Sequence, residues 1–536
     1  MFPHSGRNPL LLTVMTLVHT HEGGLPDARA LLYEETADIF LWRWEKVKTV
    51  EDKSVPRLKE LLEKAGRAEV DLKRLLWRLA YEVHEKTGEH SEVLADINEW
   101  ELEKALADLH PKKSKDWADR VIKTIKMRAG LLLEREPEVY SFPHRTFQEY
   151  FAGAHLSIQT DFAKKACSLI EKGNFWREAV LLAVGRLIYL SGDSDKPLAL
   201  TGELCPSDTG DNDTAWRKIW MAGEVLIEIG INRVNDSNLG RDLSGRVKQK
   251  ITDLLRKGRL KPKERVDAGN VLGRLGDPRF KPDLFYLPDG KDLGFVKIPA
   301  GSFLMGTEKK DADKLIAEGL PDVWVNLEQP QHKVVLSEYA INHYPVTVAQ
   351  FRVFVQDSGY ETDGRWKNGQ DNHPVVYVSW NDAVAYCTWL TEKLRQKGYN
   401  WQIKLPSEAQ WEKAARGTDR RIYLWGNEPD PDKANCTDTG IGETSPVGCF
   451  PKGKSPYGIL DMSGNVWEWC QDRFDDGYYA DSPSDNPVGS GSGSDRVNRG
   501  GSWISRVASC RAALRIRFDP SFRYNHLGFR LLREAP

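Results

Sequence analysis

YGILDMSGNVWEWCQD, residues 457–472, sets two acids and two tryptophans around a glycine turn. Asp461 and Glu468 flank that turn, with the backbone carbonyls of Gly464 and Val466 between them. Hard oxygen donors of this kind suit Ca²⁺, which takes about six to eight of them, and no histidine or cysteine cluster competes for a softer metal. The four residues predict a structural calcium site or, alternatively, a metal-free turn held by hydrogen bonds.

Working outward, short strand-like runs such as HKVVLSEYAI (332–341) and PVVYVSW (374–380) are interleaved with two helices. NDAVAYCTWLTEKL (381–394) opens on an asparagine able to cap it, and PSEAQWEKAARG (406–417) opens on a capping serine and stops at a glycine. The rest is loop, which side chains must hold in place. Trp380, Trp389, Trp401, Trp411, Trp425, Trp467, Trp469 and Trp503 supply the large buried areas for that purpose.

These landmarks, with FVKIPAGSFLMGT (295–307), HKVVLSEYAINHYPVTVAQFRVFV (332–355), RVNRGGSW (496–503) and LGFRLL (527–532), resemble the formylglycine-generating-enzyme type of domain. The resemblance implies an α+β, C-type-lectin-like fold over residues 286–536. It also implies that Asp461, Gly464, Val466 and Glu468 match the family's calcium ligands, while a second site at Asn435 and Cys436 has a shortened loop. Oxidases of this type bind copper through two thiolates five residues apart after the GGS turn. The matching positions are Ser505 and Cys510, and a serine hydroxyl is neither a thiolate nor a soft ligand. The chain is therefore expected not to be an enzyme. The alternative, a copper- and oxygen-dependent sulfur oxidase, requires a second thiol near Cys510.

The final segment, ISRVASCRAALRIRFDPSFRYNH (504–526), carries apolar and aromatic residues where loops usually place small polar ones. Mixed with arginine, such residues are what recognition surfaces use. Ile504, Ser505, Arg506, Val507, Leu514, Ile516, Phe518, Phe522, Tyr524 and His526 are the candidate ligand contacts. Of the arginines here, Arg511, Arg515, Arg517 and Arg530 are expected to form internal pairs, leaving Arg506 and Arg523 as contacts. The segment lacks Lys, Glu, Gln, Met and Trp. In this it is similar to the variable region of proteins diversified by retroelements, where randomised adenines in codons ending in C never encode those five residues. A surface of this composition favours a protein ligand, with a glycan or peptide as alternatives.

Upstream of the Gly-Asp-Pro at 276–278 the chain reads as helices, and a boundary is expected near 285. WREAVLLAVGRL (176–187), AWRKIWMAGEVLIEIG (215–230) and ERVDAGNVLGRLG (264–276) resemble one another, and aligning Ala179, Ala222 and Ala268 gives separations of 43 and 46 residues. That spacing predicts HEAT-like helical hairpins over 161–285, a surface for self-association or spacing. Residues 1–160 resemble the helical and winged-helix tail of a NACHT-type signalling NTPase, in the segments 8–45 and YSFPHRTFQEYFAGAHL (140–156). The resemblance places Pro9 where such proteins touch a nucleotide base. No G-x-x-x-x-G-K-[ST] occurs, so no ATP site is expected in this chain. His144 and Arg145 are read as a cap and a tie between helices.

The predicted architecture is thus multidomain, with an all-α N-terminal half and a C-terminal α+β lectin-like domain. With 76 Lys plus Arg against 78 Asp plus Glu, nothing in the overall charge favours nucleic acid as a partner. Seven cysteines without a CxxC pair point to a reducing, cytoplasmic setting. The apolar run Leu10 to Val18 is much shorter than the ~20 residues of a membrane span.

Overall fold

In a computed structural model the chain is described over residues 28–43, 56–88, 96–128, 130–208 and 210–534. Pro9 and the run Leu10 to Val18 lie outside those residues. The chain divides into two compact units, residues 1–247 and 248–536. No helix among the described residues is long and apolar enough to cross a membrane.

Over its described residues the first unit is helical apart from one small sheet. Strands Ile97–Asn98, Val139–Ser141 and Leu133–Glu136 pair antiparallel in that order, so residues 133–141 form a hairpin that follows the helices Glu99–Leu109 and Lys115–Arg128. This is the order of a winged helix. His144 is the N-cap of the helix Arg145–Ser157, its ring nitrogen accepting from the Thr146 N–H at 3.2 Å, and Phe147, Tyr150 and Phe151 of that helix are buried. Ala179 and Ala222 are fully buried in the helices Arg177–Leu190 and Asp213–Ile229.

The division between units falls within the helix Asn238–Lys257, upstream of residue 285. The third of the similar helical stretches therefore lies in the second unit, as helix α1 (Pro262–Leu275). Its glycines let the lectin-like module approach: a Cβ on Gly269 would meet Pro446 at 3.0 Å, and one on Gly273 would meet the Asn372 carboxamide at 2.5 Å. Asn372 Nδ2 donates to the Gly269 carbonyl at 3.0 Å, and the Arg265 guanidinium donates to the Cys449 carbonyl. These polar ties, invisible to a periodicity argument, attach α1 to the module.

The module is built on two four-stranded sheets and a hairpin. Strands β1 (Phe295–Ile298), β4 (Tyr339–Asn342), β5 (Ile403–Lys404) and β10 (Leu532–Glu534) form an antiparallel sheet ordered β5-β10-β4-β1. Between β1 and β4, strands β2 (Gly301–Met305) and β3 (His332–Leu336) pair as a hairpin. Strands β6 (Trp467–Arg473), β7 (Arg496–Arg499), β8 (Arg515–Phe518) and β9 (Leu527–Phe529) form the second sheet, ordered β8-β7-β6-β9, with only β9 running parallel to its neighbour. Helices α2 (Val348–Ser358) and α3 (Trp380–Gln396) contribute to one core, and α4 (Glu408–Arg416) to another.

Two local expectations need correction. PVVYVSW is not a strand: Val375 N–H donates to Val346 and Tyr377 N–H to Tyr524, so its main chain is shared between separate segments. Helix α3 is capped by Ser379, whose hydroxyl accepts from Asp382 N–H at 3.1 Å, and not by Asn381. Ser407 does cap α4, which ends at Gly417. Four of the eight tryptophans are buried and four half-buried.

Candidate functional site

The last segment hangs from a buried ionic layer. Arg499 on β7 and Arg515 on β8 both reach Glu408 of α4, at 3.0 and 2.7 Å, and Arg499 also pairs with Glu412. Arg511 pairs with Glu328 at 2.7 Å. Arg511, Arg515 and Arg530 are internal, as expected, and so is Arg499; each buried guanidinium meets a carboxylate that offsets the cost of burying its charge. Arg517 differs: it is exposed and pairs at the surface with Asp476 at 3.0 Å. Arg523 is not a free contact, since it holds the buried Asp382 through two bonds of 2.9 and 3.0 Å.

The two acids expected to hold calcium do not stand free of other partners. Both oxygens of the fully buried Glu468 are taken: Arg530 donates to them at 2.9 and 2.8 Å, and Trp411 Nε1 at 2.7 Å. Arg530 supplies the positive charge that a cation would bring. Asp461 accepts from Gly448 N–H at 2.6 Å, and burial pushes its carboxyl up to about 6. Gly464 and Val466 belong to a turn tied by Gly464 N–H to the Gly500 carbonyl at 2.8 Å and by Asn465 N–H to the Asn435 carbonyl at 2.8 Å. Among the described residues no group of three or more His, Cys, Asp or Glu could hold a metal.

Nor do the residues at the thiol positions fit copper. Cys510 is fully buried, and that burial pushes its thiol well above the ordinary range. Its neighbour across the GGS turn is a hydroxyl: Ser505 Oγ accepts from Ser502 N–H at 3.1 Å. Gly501 turns there at a φ of 73°, and a Cβ on it would lie 2.9 Å from the Cys510 sulfur. Cys436 is pushed up to about 11, chiefly by burial, and points its thiol at Asp438. With serine at one of the two positions, the pair cannot hold copper between two sulfurs.

The ten candidate contacts separate by exposure into three groups. Leu514 is a correction: it is 1% exposed and sits in the core with Trp469 and Phe529, immediately before β8 begins. Ile504, Arg506, Phe522 and Tyr524 are exposed, while Ser505, Val507, Ile516, Phe518 and His526 are half-buried. Phe518, Phe522, Tyr524 and His526 form a continuous aromatic patch, with Phe518 and Tyr524 centroids 5.3 Å apart and Tyr524 stacked on His526 at 5.3 Å.

This patch is anchored largely through main-chain atoms. Thr437 N–H donates to the Ser505 carbonyl at 2.9 Å, Trp380 N–H to Pro520, Tyr377 N–H to Tyr524 and Trp467 N–H to His526. Trp503 Nε1 donates to the Asn525 carbonyl at 3.1 Å, and the Asp438 carboxylate accepts from Val507 N–H at 2.7 Å. Such bonds fix the path of the chain while leaving the outward side chains unconstrained. Reading the sequence did not single out the buried Asn498 or the stacking of Arg496 over Trp380 at 3.8 Å. The polar Asn498 inside a strand run was the available signal.

With this geometry in place, the similarity to known proteins can be stated. Residues 287–535 match the sulfatase-modifying factor enzyme 1-like domain, and residues 29–156 match the winged helix-turn-helix domain C-terminal to NACHT. The formylglycine-generating enzyme of Streptomyces coelicolor is 33% identical over 305 residues, 45% of this chain and 90% of that protein. The chain belongs to the formylglycine-generating-enzyme family. Another relative in this family, the inactive C-alpha-formylglycine-generating enzyme 2 of Mus musculus, is 30% identical over 49% of this chain and 92% of its own length. Among solved structures, Treponema denticola variable protein 1 aligns over 45% of this chain and 95% of its own, at 26% identity and a TM-score of 0.36.

Proposed function

We propose that this chain is a ligand-recognition protein in which residues 504–526 of the lectin-like module form the binding surface. On this reading the helical unit links it to a signalling or defence NTPase. The observation that carries the reading is the exposed aromatic patch, held in place by main-chain bonds, beside a GGS turn that lacks the thiol pair. A purely structural segment would bury Arg506, Phe522 and Tyr524, and all three are exposed. The apolar content favours a protein ligand. The name of the mouse relative adds that the fold occurs without the activity.

Main-chain anchoring also supports diversification, because side chains that carry no structural bond are free to vary. The test is the DNA downstream of the gene. A near-copy of the last hundred or so bases, differing where it carries adenine at codons between 504 and 526, is the expected finding, beside a reverse-transcriptase gene. Without that copy the segment is fixed and the diversified reading fails. The competing oxidase reading is tested by incubating the protein with a cysteine-containing peptide, copper and oxygen. No conversion to formylglycine is expected, and turnover would overturn the reading of Ser505 as a ligand contact and of Cys510 as an inert buried thiol.

A further inference from the structure

Strand β7 crosses the interior of its sheet, and its side chains alternate between two environments. Val497 and Arg499 face the α4 side, where Val497 packs in the core with Trp411 and Arg499 meets Glu408 and Glu412. Asn498 faces the other side, in register with Trp469 on β6 and Ile516 on β8, while Arg496 is in register with Phe518. Asn498 is fully buried, and neither its amide nitrogen nor its carbonyl oxygen has a hydrogen-bond partner. Buried polar groups in folded proteins are nearly always paired, since an unpaired one has lost water without compensation. A valine or threonine would suit this strand better.

What lies beside Asn498 on the same face is the aromatic patch. Ile516 and Phe518 are half-buried, and Phe518 is 6.4 Å from Trp469 and 6.3 Å from Phe522. The open amide is therefore at the floor of the face assigned above to recognition.

We propose that Asn498 is a ligand-contact residue and that its partner is an amide group of a polypeptide, admitted by a shift of the Ile516 or Phe518 side chain. The inference rests on the recognition reading. A carboxamide offers a donor and an acceptor side by side, and a peptide or side-chain amide presents the matching acceptor and donor. The surrounding rings suit the flat, apolar faces of such a group. The segment's one carboxylate, Asp519, spends one oxygen, Oδ1, on Ser521 through bonds of 2.8 and 2.5 Å.

The test pans the full chain against a phage-displayed library of random dodecapeptides and, separately, a glycan array. Asn498→Val removes both polar atoms, and Asn498→Thr keeps one hydroxyl. Enriched peptides are expected to bind Asn498→Val about tenfold or more weakly and Asn498→Thr at an intermediate level, while the melting temperature of Asn498→Val is unchanged or higher. Peptides that bind both variants as tightly as the parent overturn the role of Asn498 and leave the recognition reading standing. Enrichment on the glycan array alone overturns the polypeptide partner. If Phe522→Ala binds every enriched probe unchanged, the recognition reading falls, and the inference with it.

Discussion

At the level of single residues the module separates side chains that hold it together from those that hold nothing. Arg530 and Glu468 are both fully buried, and Arg530 also donates to the carbonyls of Asn342 and Leu460 at 2.8 and 2.9 Å. Replacing it with methionine strands a buried carboxylate, and removal of one partner of such a pair costs about 3–5 kcal/mol. Arg530→Met is accordingly expected to lower the urea midpoint sharply. Phe522 and Tyr524, 43% and 38% exposed, are the contrary case. The double variant Phe522→Ala with Tyr524→Ala should stay within about 1 kcal/mol of the parent by chemical denaturation while losing any ligand the patch binds. A large loss of stability would return the patch to the core.

Among elements, α1 gives the clearest physical prediction, because a histidine ties it to the module. His373 is buried; its ring nitrogens lie 2.8 Å from the Asn270 carboxamide oxygen on α1 and 2.9 Å from the Thr444 hydroxyl, and burial drives it down to about 3. A histidine whose folded value lies below its unfolded one contributes stability that is present above about 6.5 and is lost as pH falls toward 3. Burial raises Asp472 to about 7, which has the opposite sign: its contribution is lost as pH rises through that value. The difference between the parent and His373→Asn isolates the first effect. That gap in melting temperature is expected to shrink between pH 6.5 and 4, and a constant gap would refute the assignment. Elements whose signals are local were legible in the sequence: the Ser407 cap, the glycine stop at 417 and the strands of HKVVLSEYAI. PVVYVSW, the inward turn of Leu514 and the pairing of Glu468 with Arg530 were not, since each depends on a partner distant in sequence.

On the scale of the whole molecule, the same contacts decide what the lectin-like part must include to be stable. The family match begins at 287, and Gly-Asp-Pro at 276–278 reads as a boundary, so a fragment starting at 286 is the choice that sequence recommends. The structure recommends 248, where the second unit begins. Arg265 reaches the Cys449 carbonyl, Asn372 the Gly269 carbonyl, and Arg279 both Asp277 at 2.6 Å and the Val447 carbonyl at 2.8 Å. At about 1 kcal/mol for each buried hydrogen bond, before any apolar area is counted, losing α1 and these partners removes several kcal/mol. Cys449 reports the loss directly, because burial against α1 pushes its thiol up to about 12 and leaves it inert in the intact unit. The fragment 248–536 should melt in one transition with Cys449 protected from a thiol reagent, whereas 286–536 should melt several degrees lower and label at that cysteine. Equal stability and equal protection of the two fragments would show that α1 rests on the module without supporting it.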